Sequence, residues 1–118
     1  MQTAHKQWYF GKSLDGFTPI GPCIVTADAF VDYPPRLGIR SFVNGEKRQD
    51  SNTALQIFDI DHVIAELSQG MTLKAGTIIA TGTPAGVGMG MDPPQFLKPG
   101  DVVRCEIDGI GTLTNPVK

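Results

Sequence analysis

The sequence predicts a mainly β protein with one or two short helices, an α+β chain read from three observations. Short β-branched runs such as Ile39-Arg40-Ser41-Phe42-Val43 and Asp101-Val102-Val103-Arg104-Cys105-Glu106-Ile107 alternate side chains in the period of a strand. Fourteen glycines and nine prolines punctuate those runs instead of collecting in a linker. Only one stretch, Ile60-Val63-Ile64-Leu67, carries apolar residues at helical spacing.

Each element follows from local chemistry. Cys23-Ile24-Val25-Thr26 reads as a strand after the Pro19-to-Pro22 turn, and residues 27–36 read as a surface connection. Asn44-Gly45 supplies the two positive φ angles of a tight hairpin after Val43. The return through Lys47-Arg48-Gln49 is polar, which predicts a wet hairpin face. Asp59 is placed as an N-cap, Phe58 and Val63 as a hydrophobic staple, and Gly70 as a left-handed cap. The helix is expected to pack its apolar face on a sheet. Lys74-Ala75-Gly76 turns into a strand Thr77-Ile78-Ile79-Ala80, and Pro99-Gly100 turns into the strand ending at Ile107. In that strand Val103, Cys105 and Ile107 share a face. Asp108-Gly109 opens a last turn, with a short strand through Leu113.

With 118 residues the chain is one domain's worth, long enough to bury a hydrophobic core with little stability to spare. A net charge of −2 with scattered basic residues argues against nucleic acid and against an anionic membrane surface, which both recruit clustered Lys and Arg. No apolar run is long enough to span a bilayer, and Met1 to Lys6 lacks the apolar region of a secretory leader. Cys23 and Cys105 read as two buried free thiols in a reducing cytoplasm.

The candidate chemistry is sparse. Gly11-Lys12-Ser13 has the ending of a phosphate-binding loop, but the position where that loop needs its first glycine is Lys6 and the approach is aromatic, which disfavours nucleotide binding. Lys12 follows an aromatic cluster; a lysine near apolar rings is a partly desolvated cation suited to a carboxylate or an enolate oxygen. Local context alone reads it as a surface lysine. Thr81-Gly82-Thr83-Pro84-Ala85-Gly86-Val87-Gly88 directly follows a predicted strand. Such a loop can bring N–H groups and small hydroxyls to an anion, or can be a plain series of turns. His5 and His62 have no neighbour at ligand spacing, and His62 lies off the apolar helix face. Asp59 and Asp61 are better explained as helix-start residues than as ligands.

Taken together these stretches resemble the C-terminal part of the fumarylacetoacetate hydrolase family. The likeness is carried by Gly11-Lys12-Ser13 with Asp15 and Pro19-Ile20-Gly21-Pro22; Val43-Asn44-Gly45-Glu46 with Arg48-Gln49; Ile57-Phe58; Met71-Thr72-Leu73; Ile79 to Gly88; Pro93-Pro94 with Phe96-Leu97-Lys98; and Gly109-Ile110-Gly111-Thr112-Leu113. The resemblance implies a mixed β-sandwich roll, with residues 1–118 as the C-terminal part of a single catalytic domain, incomplete on its N-terminal side. It implies an enzyme acting on 2-oxo or β-diketo acids through an enolate-like species stabilised by Mg²⁺ or Mn²⁺: a C–C bond hydrolase, an oxaloacetate-type decarboxylase or a hydroxy-dienoate isomerase. It implies a cytoplasmic homodimer. By resemblance Lys12 and Gln2 are the catalytic residues near the oxyanion, and Thr83, Gly82 and Lys12 contact substrate. The family's metal ligands, two glutamates and an aspartate, lie upstream of the match, as does most of the His–Glu pair of its hydrolytic members. No metal site is therefore expected in this chain, and activity from it alone is not expected. The alternative is a non-catalytic domain with a structural or dimerisation role.

Overall fold

The computed structural model describes residues 8–118. Among them one four-stranded antiparallel sheet forms, in the order β2-β1-β3-β4. Its strands are β1 (Gly38–Val43), β2 (Glu46–Asn52), β3 (Val102–Ile107) and β4 (Gly111–Pro116). Two hairpins make it, β1–β2 and β3–β4, and they join along β1 and β3 with Ile39 opposite Ile107, Ser41 opposite Cys105 and Val43 opposite Val103. The helices are short: α1 (Trp8–Lys12), α2 (Ile60–Ser68), and three single 3₁₀ turns at Ala27–Ala29, Thr53–Leu55 and Gly88–Gly90. The mainly β expectation holds.

The Asn44-Gly45 turn and the Asp59 cap form as the sequence predicts. Asn44 and Gly45 take φ of 52° and 84°, the pair that a two-residue hairpin turn requires. The Asn44 side chain also ties the two hairpins together: its Nδ2 donates to Asp101 Oδ1 at 2.9 Å, and its Oδ1 accepts from the Val102 N–H at 2.9 Å. Asp59 caps α2 by accepting the His62 N–H at 2.7 Å. Phe58, in the staple position, stacks on the exposed His62 ring, with centroids 4.8 Å apart.

The β1–β2 ladder contains a break. Ser41 pairs with Gln49 and Phe42 with Lys47, so Arg48 is an extra residue on β2. Such a bulge twists its strand and re-aims the side chains beside it. Here the consecutive Arg48 and Gln49 are both half-buried, and both line the same groove. A regular strand would have sent them to opposite faces. The return strand is therefore wet only at Glu46, Lys47 and Asp50.

Several expectations are corrected. Cys23–Thr26 and Thr77–Ala80 form no strand, because neither meets a partner backbone among the described residues; β propensity becomes a strand only where a ladder exists. Gly70 is not left-handed; α2 ends through Gln69 in right-handed conformation, whose N–H reaches the Glu66 carbonyl. Helix α2 does not pack on the sheet, since extensive contact between elements is confined to neighbouring strands. Its Ile60, Val63 and Leu67 are half-buried and Ile64 is exposed. No large apolar side chain among the described residues is fully buried, so the expected core is not assembled from them. Cys23 and Cys105 are free but exposed rather than buried, Cys105 because it faces the open groove and Cys23 because it sits on a loop.

Candidate functional site

Among the described residues, the predicted loop 81–88 is held against the sheet. It approaches the bulge of β2, and two glutamine side chains hold it. Gln56 Nε2 donates to Thr81 Oγ1 at 3.1 Å. Gln49 Nε2 donates to Thr83 Oγ1 at 2.8 Å and to the Pro84 carbonyl at 3.0 Å. Gln49 Oε1 in turn accepts from Ser41 Oγ at 2.8 Å.

Two glycines allow this approach. Gly86 has a φ of +103°, and a Cβ there would run into the Arg48 carbonyl and within 3.1 Å of Gln49 Cγ. A Cβ on Gly88 would meet the Gln95 carbonyl. Gly82 also has a φ of +103° but faces open space, so its need for glycine is conformational only.

Beneath the loop lies a groove of about 670 Å³ between the sheet face and residues 86–98. Val43, Val103 and Phe96 give it apolar walls, and Arg48, Gln49 and Lys98 give it polar ones. Arg48 is 17% exposed; its Nη1 donates to Gln95 Oε1 at 2.6 Å, its Nη2 pairs with Glu46, and its buried Nε has no partner among the described residues. At the rim, the hydrogen bond from Asn44 and then the Lys98 N–H hold the Asp101 carboxyl below its ordinary pKa.

Lys12 ends α1. Its ammonium lies over the Trp8 ring, 5.3 Å from the centroid, and its carbonyl accepts from Thr18 Oγ1 at 2.8 Å. The aromatic neighbour read from the sequence is thus present, but Lys12 and Trp8 are both exposed, so the partial desolvation expected of this lysine is not seen among the described residues. Gly11-Lys12-Ser13 closes a helix, whereas a phosphate cradle opens one. Among the described residues no hydrogen bond or ion pair joins Lys12 to Thr83 or Gly82. Gln2 lies outside the described residues.

No cluster of three or more His, Cys, Asp or Glu able to hold a metal occurs among the described residues. Residues 1–7 add no carboxylate. The donor set does not fit a hard divalent cation, which takes several oxygen ligands in a preformed cage. We expect calorimetry of this chain with Mn²⁺ to find no site tighter than about millimolar; a stoichiometric micromolar site would mean that carboxylates set apart here converge in solution.

The residues that sequence reasoning passed over are Ser41, Gln49 and Gln56. The run from Glu46 to Asn52 is polar throughout and carries no alternation that marks Gln49; only the bulge gives it meaning.

The model of the fumarylacetoacetate hydrolase C-terminal family matches residues 1–118. The chain is 50% identical over 117 residues to the mitochondrial oxaloacetate tautomerase of Xenopus laevis, covering 99% of this chain and 36% of that protein. Its fold superposes on fumarylacetoacetate hydrolase from psychrophilic Exiguobacterium antarcticum with a TM-score of 0.92 and 55% identity, over 99% of this chain and 42% of that one. It superposes on maleylpyruvate hydrolase from Sphingobium sp. SYK-6, solved with manganese(II) and pyruvate, with a TM-score of 0.79 and 44% identity, over 92% of this chain and 38% of that one. The chain thus spans well under half the length of these relatives, which are enzymes of small keto acids, and it belongs to the fumarylacetoacetate hydrolase family.

Proposed function

We propose that this chain forms the C-terminal part of the catalytic domain of an enzyme acting on 2-oxo or β-diketo acids through an enolate-like intermediate. The observation that carries this reading is the 81–88 loop, docked on the sheet by Gln49 with the exposed Thr83 hydroxyl beside Gly82. Thr83 and the Gly82 backbone hold the substrate's anionic oxygens, and the Lys12 ammonium offsets charge as it develops on the enolate oxygen. Gln2 assists at the same oxygen. The whole enzyme depends on Mg²⁺ or Mn²⁺, a reading supported by the manganese in the maleylpyruvate hydrolase relative. The described residues of this chain supply no cage for that cation. A fixed donor set and a cation suit hydrolase, decarboxylase and isomerase chemistry alike, because all three stabilise the same charge.

A second reading, association without catalysis, is favoured by the large apolar residues left open, among them Ile24 at 82%, Ile57 at 92% and Val31 at 103% exposure. The same surface supports a homodimer in the catalytic reading. One experiment separates the two. The whole enzyme is assayed with Mn²⁺ and Mg²⁺ against oxaloacetate, maleylpyruvate and fumarylacetoacetate, with its mass followed by light scattering. We expect metal-stimulated turnover of at least one acid. A protein that dimerises and turns over none of them belongs to the second reading.

A further inference from the structure

We propose that Gln49 is a positioning residue that commits the Thr83 hydroxyl to donate its proton to the substrate, a role that rests on the assignment of Thr83 as a substrate contact. The geometry of the amide leads there. The Pro84 carbonyl can only accept a hydrogen bond, so the Gln49 group 3.0 Å from it must be the –NH₂. The amide oxygen then faces Ser41, whose hydroxyl donates to it at 2.8 Å. The second amide proton points at Thr83 Oγ1, 2.8 Å away.

A hydroxyl offers one proton and two lone pairs. With a lone pair of Thr83 occupied by Gln49, its proton is free to point away from the sheet, toward the solvent side where Thr83 is exposed. A threonine held in this way presents a donor of fixed direction, which an anionic oxygen needs and a freely rotating hydroxyl supplies only part of the time. Ser41 completes the device by preventing the amide from turning over. The β2 bulge makes it possible: Ser41 and Gln49 form the last regular pair before the register shifts, and the extra Arg48 lets Gln49 reach the loop instead of lying flat along the ladder. Gly86, whose Cβ would collide with the Arg48 carbonyl, lets the loop come within reach.

Four variants of the whole enzyme test this: Gln49→Leu, Gln49→Glu, Thr83→Val and the double variant Gln49→Leu/Thr83→Val. Kinetics are measured with a 2-oxo acid, and the Thr83 χ1 couplings are measured by NMR. Thr83→Val is expected to lower kcat/KM by about 10- to 100-fold, as loss of a hydrogen bond to a charged group does. Gln49→Leu is expected to cost about 10-fold, and the double variant no more than Thr83→Val alone, since both act through one hydroxyl. Gln49→Glu discriminates further. An ionised carboxylate accepts where Gln49 donates, so it draws the Thr83 proton back to itself and faces the Pro84 carbonyl with like charge. Its activity should fall below that of Gln49→Leu near pH 8 and recover toward it as the pH is lowered to about 5, where a carboxyl raised by that carbonyl regains its proton and donates again. A residue that merely fills space would show no such pH split. In the NMR measurement Thr83 should occupy one χ1 rotamer in the parent and average between rotamers in Gln49→Leu, whether or not turnover can be measured.

Three results would overturn the proposal. Additive losses in the double variant, or an unchanged Thr83 rotamer in Gln49→Leu, remove the positioning role and leave Thr83 as a substrate contact. A Thr83→Val protein within about twofold of the parent removes that contact itself, and the role of Gln49 with it.

Discussion

Lys12→Met in the active protein is expected to lower kcat by roughly two to three powers of ten, the usual cost of removing one donor from a developing oxyanion. The fold should be kept. Methionine retains the apolar stem that lies along Trp8, and the turn after α1 is closed by main-chain and Thr18 contacts that do not involve the ammonium. The charge is the only thing lost. Lys12→Arg should rescue poorly, because a planar fork does not replace a compact point charge aimed at one oxygen. A solvated surface lysine makes the opposite forecast, with activity intact in both variants. The deciding measurement is kcat on protein whose circular dichroism matches the parent. A folded Lys12→Met variant within a few-fold of wild type would exclude Lys12 from the reacting centre.

Gly86→Ala should be the most disruptive single methyl in the loop. The residue combines a left-handed φ of +103° with a Cβ position already filled by the Arg48 carbonyl. That carbonyl is backbone of the bulge residue rather than the end of a flexible side chain, so it yields little. The loop must lift instead, and the two hydrogen bonds from Gln49 to Thr83 and Pro84 go with it. Backbone strain and those bonds together give an expected loss of roughly 2–4 kcal/mol. Gly76→Ala is the matched control: its φ of +83° is also left-handed, but a Cβ there meets nothing, so only the conformational cost of about 1–2 kcal/mol applies. Urea midpoints measure the difference. Equal losses at the two positions would mean that the 81–88 loop is not seated on β2 at all.

Both expectations depend on features with very different visibility in the sequence. Lys12 was legible as a cation near aromatic rings, and the structure puts its ammonium over Trp8. The resemblance, not the local pattern, singled it out from other lysines. Thr83 and Gly82 were legible only as part of a loop that could be an anion site or a plain series of turns. Neither spacing nor composition could reveal that Thr83 Oγ1 is met by Gln49, because 34 positions separate the partners and their meeting depends on the bulge.

What the sequence determined by itself is everything that closes within a few residues. Asn44-Gly45 makes the hairpin turn because both positions tolerate positive φ. Asp59 caps α2 because its carboxylate reaches an N–H three residues on. The alternating run before Asp108 becomes β3 because its residues suit a pleated, half-covered surface. Only the tertiary structure decided what needs a distant partner. Among the described residues, Thr77–Ala80 has the composition of a strand but no strand beside it, and α2 has an apolar stripe but no sheet against it. The polar pair Arg48 and Gln49 reads as a solvated edge, yet one inserted residue in the ladder turns both into the groove and gives the 81–88 loop its anchor. Local conformational preference is written residue by residue; a ladder register and the hydrogen bonds hung on it are set by which backbones meet.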